Sequence, residues 1–332
     1  MRRCNTLIKA VVITVCLCVV TVSFTFAKGA AELQKEPFTI NMAVMQGPSG
    51  FSSIGLNRND GIIKDGVAVN LSVYPSPAEV IARLTNGEID VAALPTNVAA
   101  NLFNKGVPIR VAATVGEGML MLLGTDYTLQ NIEDLAGKTI HIPGAGSTPD
   151  QMARLLIQAL GFDPETDVLL DYSIAAPAQL VQMLIAKKVE FALLPEPFVS
   201  VALTGEHNIR TLVDVQYLWT LLTGSANYPM TVLVVSDKFS SRHPEQLAML
   251  LEAVKDSVQW VIADPEQAGA MIEQAGIMKA SLAIGAIPRC NLVFRPVTEG
   301  KMALADYLTN LYWFDPQSIG GAIPDESFYL DY

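Results

Sequence analysis

Cysteine is scarce where it would matter. The chain has 4 cysteines in 332 residues, and Cys4, Cys16 and Cys18 all fall near its start, which leaves Cys290 alone in the remainder. A lone cysteine closes no intrachain disulfide, so the fold must rest on a packed core. About 300 residues suffice for such a core in two lobes. Histidine is as rare: His141, His207 and His243 are scattered, His141 on a predicted strand as a structural residue and His243 at a predicted helix start. There is no cysteine pair at metal spacing, no H-E-x-x-H and no G-x-S-x-G, which weighs against metal-dependent and serine-hydrolase chemistry. Neither a metal nor a cofactor is expected. Positive charge is also in deficit, with 22 Lys and Arg against 33 Asp and Glu and a net charge of −11. Such a chain repels nucleic acid and anionic membrane surfaces.

What is present begins with an export signal. Arg2, Arg3 and Lys9, with no acid beside them, precede an apolar run from Ala10 to Ala27. The run is long for a signal core and short for a membrane span, so cleavage after Ala27 is expected and an uncleaved anchor is the alternative. Val15 and Leu17, ahead of Cys16 and Cys18, are not the small residue that a lipoprotein cleavage site needs. Residues 28–37 read as a tether. Cleavage removes three cations and no acid, taking Lys and Arg from 22 to 19 and the net charge from −11 to −14.

The stretch GKTIHIPGAGSTPDQMARLLIQALG, Gly137 to Gly161, passes from β-branched residues through a glycine-rich loop into a helix. Thr148 and Gln151 have the spacing of a capping box, Pro149 suits the first helical position, and Gly161 suits the stop. Met152, Leu155, Leu156, Ala159 and Leu160 recur on one face. Nucleotide motifs fail here: no lysine follows the glycines, and Pro149 occupies the third glycine of G-x-G-x-x-G. Two readings stay open, a capped turn without ligand and an anion seat at the helix N-terminus.

Two segments one hundred residues apart align without a gap. SPAEVIARLTNGEIDVAALPTNV, from Ser76, and APAQLVQMLIAKKVEFALLPEPF, from Ala176, share Pro77/Pro177, Leu84/Leu184, Ala92/Ala192, Leu94/Leu194 and Pro95/Pro195. Thr39-Ile40 and Ile109-Arg110 extend the echo to Thr139-Ile140 and Ile209-Arg210. Ser76 and Glu79 have capping-box spacing, and IDVAAL and VEFALL are apolar runs of the kind buried in parallel sheets. Both runs end at a proline, leaving Thr96 and Asn97, or Glu196, at the carboxyl end of a strand, where open α/β sheets bind ligands. For Thr96 a helix-cap role is equally consistent. The fold class is therefore α/β with two lobes, each a mostly parallel sheet flanked by helices, and a ligand cleft at a hinge crossed twice. Lobe one is expected over 38–121 and 230–332, lobe two over 122–229.

The segments LTNGEIDVAALPTNVAANLFNKGVPIRVAA, DLAGKTIHIPGAGST, ALLPEPF and VLVVSDKFSSRHPEQL, in this order, resemble the periplasmic solute-binding proteins of ABC importers that include the sulfonate, taurine, nitrate and thiamine-pyrimidine receptors. The resemblance runs from Phe38 to about Val254 and is weaker beyond. It implies a cleft that closes on a ligand and delivery to ABC permease subunits in the inner membrane by a monomer in the periplasm. It also implies a cleft wall made of the first loop, with Gln46, Ser49 and Phe51; of Thr96 and Asn97; of Gly146, Ser147 and Thr148; of the Glu196-Pro197 corner; and of Asn227 and Tyr228 near the second crossing. Trp219 is a candidate for stacking on a flat ligand, with a core role as the alternative for it and for Phe51. No arginine stands among these positions, which weighs against a sulfonate or nitrate held bidentately. Glu196 would suit an amine, so the expected ligand is a small polar, pyrimidine-like or other nitrogen-containing metabolite. A pyrimidine-synthase branch of the same fold is the enzymatic rival. It depends on a histidine and a cysteine-rich motif that Cys290 and three scattered histidines do not supply. A receptor that presents its ligand to a sensor is the second rival.

Overall fold

The computed structural model describes residues 38–125, 132–205 and 208–331. The export signal, the tether and His207 lie outside them. Among the described residues twelve strands form two sheets. The first holds β1 (Phe38–Met45), β2 (Ile62–Lys64), β3 (Val67–Tyr74), β4 (Val91–Pro95), β5 (Ile109–Glu117), β11 (Pro229–Ser236) and β12 (Leu292–Pro296). The second holds β6 (Leu120–Gly124), β7 (Thr139–His141), β8 (Leu169–Asp171), β9 (Phe191–Pro195) and β10 (Arg210–Asp214). Both belong to one compact unit, Thr39–Tyr332.

The sequence echo is visible in the strand order. The first sheet contains the run β5-β11-β4-β1-β3 and the second is β10-β6-β9-β7-β8, so β4 corresponds to β9 and β5 to β10. The shared run of each sheet has one reversed strand at the same place: β11 is antiparallel to β4 and β5, and β6 to β9 and β10, while the first sheet adds the antiparallel edge strands β12 and β2. β11 and β6 are the two strands that enter from the other sheet. The offset of one hundred holds for Arg110 and Arg210, because each faces the partner of residue 91 or 191. It fails for the first strand. Met42 pairs with Val91 and Ile140 with Phe191, so the offset there is 98. A slip of two keeps every side chain on its own face, so the hydrophobic pattern could not reveal it.

Burial explains the apolar runs. Val91, Ala92, Ala93 and Leu94 are fully buried, and Leu180, Leu184, Ala192 and Leu194 form the matching core of the second sheet. The helices Pro77–Thr85 and Pro177–Ile185 supply Val80 and Leu84, or Leu180 and Leu184, to those cores. Their starts follow the prolines, but neither expected capping box forms. Ser76 makes no capping bond, and Glu79 turns to Arg83. Ser147, not Thr148, occupies the cap of the helix Thr148–Ala159, and the Thr148 hydroxyl bonds Asn97 instead. A partner across the fold outcompetes the local one.

The two crossings touch. The N–H of Gly118, between β5 and β6, donates to the Tyr228 carbonyl at 2.9 Å and to Asn227 Oδ1 at 3.0 Å. A Cβ on Gly118 would lie 2.4 Å from the Tyr228 ring, so only glycine allows this approach. Tyr228, Trp219 and Tyr307 pack together with ring centroids 5.4–5.6 Å apart.

Candidate functional site

The carboxyl ends of β1, β3, β4, β7, β8 and β9 converge on one cavity of about 390 Å³, within the size range of small-molecule sites. The first sheet contributes Met45, Gln46, Ser49, Ser76 and Pro95, and the second contributes the Pro143–Pro149 loop and Pro195. The crossings add Met119, Met230 and Thr231. Of the residues expected at the cleft, Gln46, Ser49, Gly146, Ser147 and Thr148 line it.

Asn97 holds the two sides together. Its Nδ2 donates to the Gly146 carbonyl at 3.0 Å, and its Oδ1 accepts from the Thr148 hydroxyl at 3.0 Å. The helix Thr96–Asn104 thereby ties to the start of the helix Thr148–Ala159 across the cavity.

The anion seat expected at this helix start already holds a carboxylate. Asp150, 3 % exposed, accepts the Gly146 N–H at 2.7 Å through Oδ2, and Arg154 and the Tyr172 hydroxyl through Oδ1. Burial, followed by the bond to Asp150, pushes the Tyr172 phenol up to about 12. Arg154 also pairs with Glu165. A second anion here would find the Gly146 N–H already taken.

A family model described as NMT1-like matches residues 42–276. The chain belongs to the NMT1-like family. Its fold is the periplasmic-binding-protein fold. An ABC transporter protein from Parabacteroides distasonis is 27% identical, with 88% of this chain and 99% of that one covered and a TM-score of 0.73. The periplasmic aliphatic sulphonate binding protein SsuA of Escherichia coli has the same TM-score at 13% identity, covering 89% of this chain and 92% of its own. The periplasmic nitrate-binding protein NrtA of Synechocystis, at 16% identity and TM-score 0.64, covers 86% of this chain and 81% of its own. No curated protein matches.

Seven expected residues stand away from the cavity wall: Asn97, which bridges behind it, and six more. Glu196, 2 % exposed, is engaged elsewhere: Oε2 accepts the Ser200 N–H and hydroxyl, and Oε1 accepts Arg289 Nε at 3.2 Å. The expected amine partner is thus an arginine of the chain itself, 93 residues away and invisible to local motifs. Thr96, fully buried and off the wall, donates its hydroxyl to the Pro229 carbonyl at 2.7 Å, and Pro95 holds the cap position of its helix. Phe51 is fully buried in the core of the short helix Pro48–Ser53. Trp219, off the wall, packs on Tyr228 and Tyr307. Asn227 binds Gly118, and the Tyr228 hydroxyl donates to Gln216 at 3.1 Å, so both brace the crossings.

The wall includes residues that sequence reasoning missed: Met45, Met119, Met230, Ser76 and Thr231. The paired prolines Pro77/Pro177 and Pro95/Pro195, all four on the wall, were the signal for the rim. Among the described residues no group of three His, Cys, Asp or Glu could hold a metal. No helix among them is long and apolar enough to cross a membrane. Burial pushes the Cys290 thiol far up, so it stays protonated at neutral pH.

Proposed function

We propose that this chain is the solute-binding component of an ABC-type importer, which captures a small molecule between its two sheets and delivers it to a membrane permease outside the cytoplasm. The observation that carries the reading is the cavity at the strand ends, bridged by Asn97 to Gly146 and Thr148. The NMT1-like family and the names of the structural neighbours support it. In this reading the chain is a receptor and no enzyme: the lining offers no acid, base or nucleophile with an activating partner. The lobes move about the crossings at Gly118 and Asn227-Tyr228, and the Asn97 bridge forms on closure.

Two tests follow. Deleting the gene abolishes uptake of the solute that mass spectrometry finds on the purified, denatured protein; unchanged uptake refutes the transport role. Asn97→Ala removes two hydrogen bonds worth about 1 kcal/mol each, so solute retention weakens by about tenfold to thirtyfold while the melting temperature changes little. Equal retention in the variant would exclude Asn97 as a closure contact.

A further inference from the structure

We infer that the cavity is built for an uncharged, largely apolar molecule carrying one or two hydrogen-bonding groups, and that it rejects sulfonates, carboxylates and amines. The inference rests on the reading of the cleft as a capture site, and it names the class of solute.

Among the described residues no Asp, Glu, Lys, Arg or His lines the cavity. An ion enclosed there would lose its water without a counter-charge, a cost that proteins avoid by pairing buried charges. The usual remedy for an anion, a set of free backbone N–H groups at a helix start, is curtailed in two ways. Five helices bring a first-turn residue to the cavity, and four of them carry a proline at the first or second helical position, Pro48, Pro77, Pro149 and Pro177, each without an N–H; the fifth, Thr96–Asn104, has no such proline. The Gly146 N–H is engaged by Asp150, whose own carboxylate lies beside the same helix start. A cation fares no better. Asp150 and Glu196, the buried acids nearest the cleft, are paired with Arg154 and Arg289 inside the chain.

The polar groups that remain are neutral and few. The hydroxyls of Ser49, Ser147 and Thr148 are engaged by Met45, by Pro143 and Gly144, and by Asn97. Gln46, Ser76 and Thr231 line the cavity with side chains that have no hydrogen-bond partner among the described residues. They can give and accept one or two bonds to a carbonyl, hydroxyl or amide. Three methionines and a rim of prolines supply the rest of the contact surface, and thioether side chains adapt to an apolar outline.

Two fluorophores with one skeleton test the charge rule: neutral N-phenyl-1-naphthylamine and its sulfonate, 8-anilino-1-naphthalenesulfonate, titrated into the mature protein freed of retained solute. The neutral probe is expected to bind at least tenfold more tightly. Ala145→Trp, a substitution at an exposed rim position between two loop glycines, is expected to abolish its signal. Ser76→Lys, at a position that makes no capping bond, should shift the ratio at least tenfold toward the sulfonate. If the sulfonate binds as tightly as the neutral probe and Ala145→Trp removes both, the solute class is wrong and capture in the cleft stands. If neither probe binds, or both bind unchanged in Ala145→Trp, the proposal is overturned. Retained solute that washes off Asn97→Ala, measured separately, then decides whether the capture reading survives.

Discussion

Trp219→Ala is expected to destabilise the fold by about 3–5 kcal/mol, the range for truncating a large buried aromatic. The side chain is 1 % exposed and wedged between Tyr228, at the second crossing, and Tyr307, on the helix Val297–Phe314. The void would open beside the strand crossings, where packing aligns the two sheets. Trp219 Nε1 has no hydrogen-bond partner, so Trp219→Phe removes an unsatisfied donor along with some volume and should cost less than about 1.5 kcal/mol. Chemical denaturation of both variants measures the pair. Because Trp219 does not line the cavity, Trp219→Phe should also leave solute retention unchanged; a large loss would restore the stacking role.

Arg289→Met is expected to cost about 2–3 kcal/mol. Removing one partner of a buried ion pair typically costs about 3–5 kcal/mol, because the remaining charge is stranded. Here the figure is lower because the Arg289 side chain is 55% exposed and water screens part of the interaction. Glu196 would keep only Ser200 as donor. Adding Glu196→Gln to Arg289→Met removes the stranded charge and should recover most of the loss. A double variant no more stable than Arg289→Met would show that the pair contributes nothing through charge.

The sequence made the architecture legible because its signals are local or repeated. Prolines mark where helices start after strands, apolar runs mark strands covered on both faces, and the echo announces two sheets of one plan. The site was legible only as positions along the chain. The loop at Gly146, Ser147 and Thr148 could be placed at the cavity because it follows a strand. Glu196 could not be read, because its arginine lies far along the chain, on the turn Ile287–Arg289. The same limit applied to Thr148, whose partner Asn97 lies 51 residues away. Capping-box spacing states what a side chain can reach locally: Asn97 drew Thr148 across the fold, and Glu79 chose a second local neighbour, Arg83, one turn on. The reversed strands β6 and β11 were hidden too, since strand direction leaves no trace in an apolar run.

The ligand expectation changed for an electrostatic reason. A lone glutamate at a strand end reads as a cation site until its partner is known. Once Glu196 and Asp150 are paired within the chain, the cavity has no side-chain charge left to offer, and prolines take one N–H from each of four helix starts around it.

A crystal structure of the mature protein carrying the solute it retains tests the capture site most directly. Density for one uncharged molecule is expected between Gln46, Ser76 and Thr231 on one side and the Gly144–Thr148 loop on the other, with Asn97 bonded to Gly146 and Thr148. Density on an outer face, with that cavity filled only by water, would contradict the account.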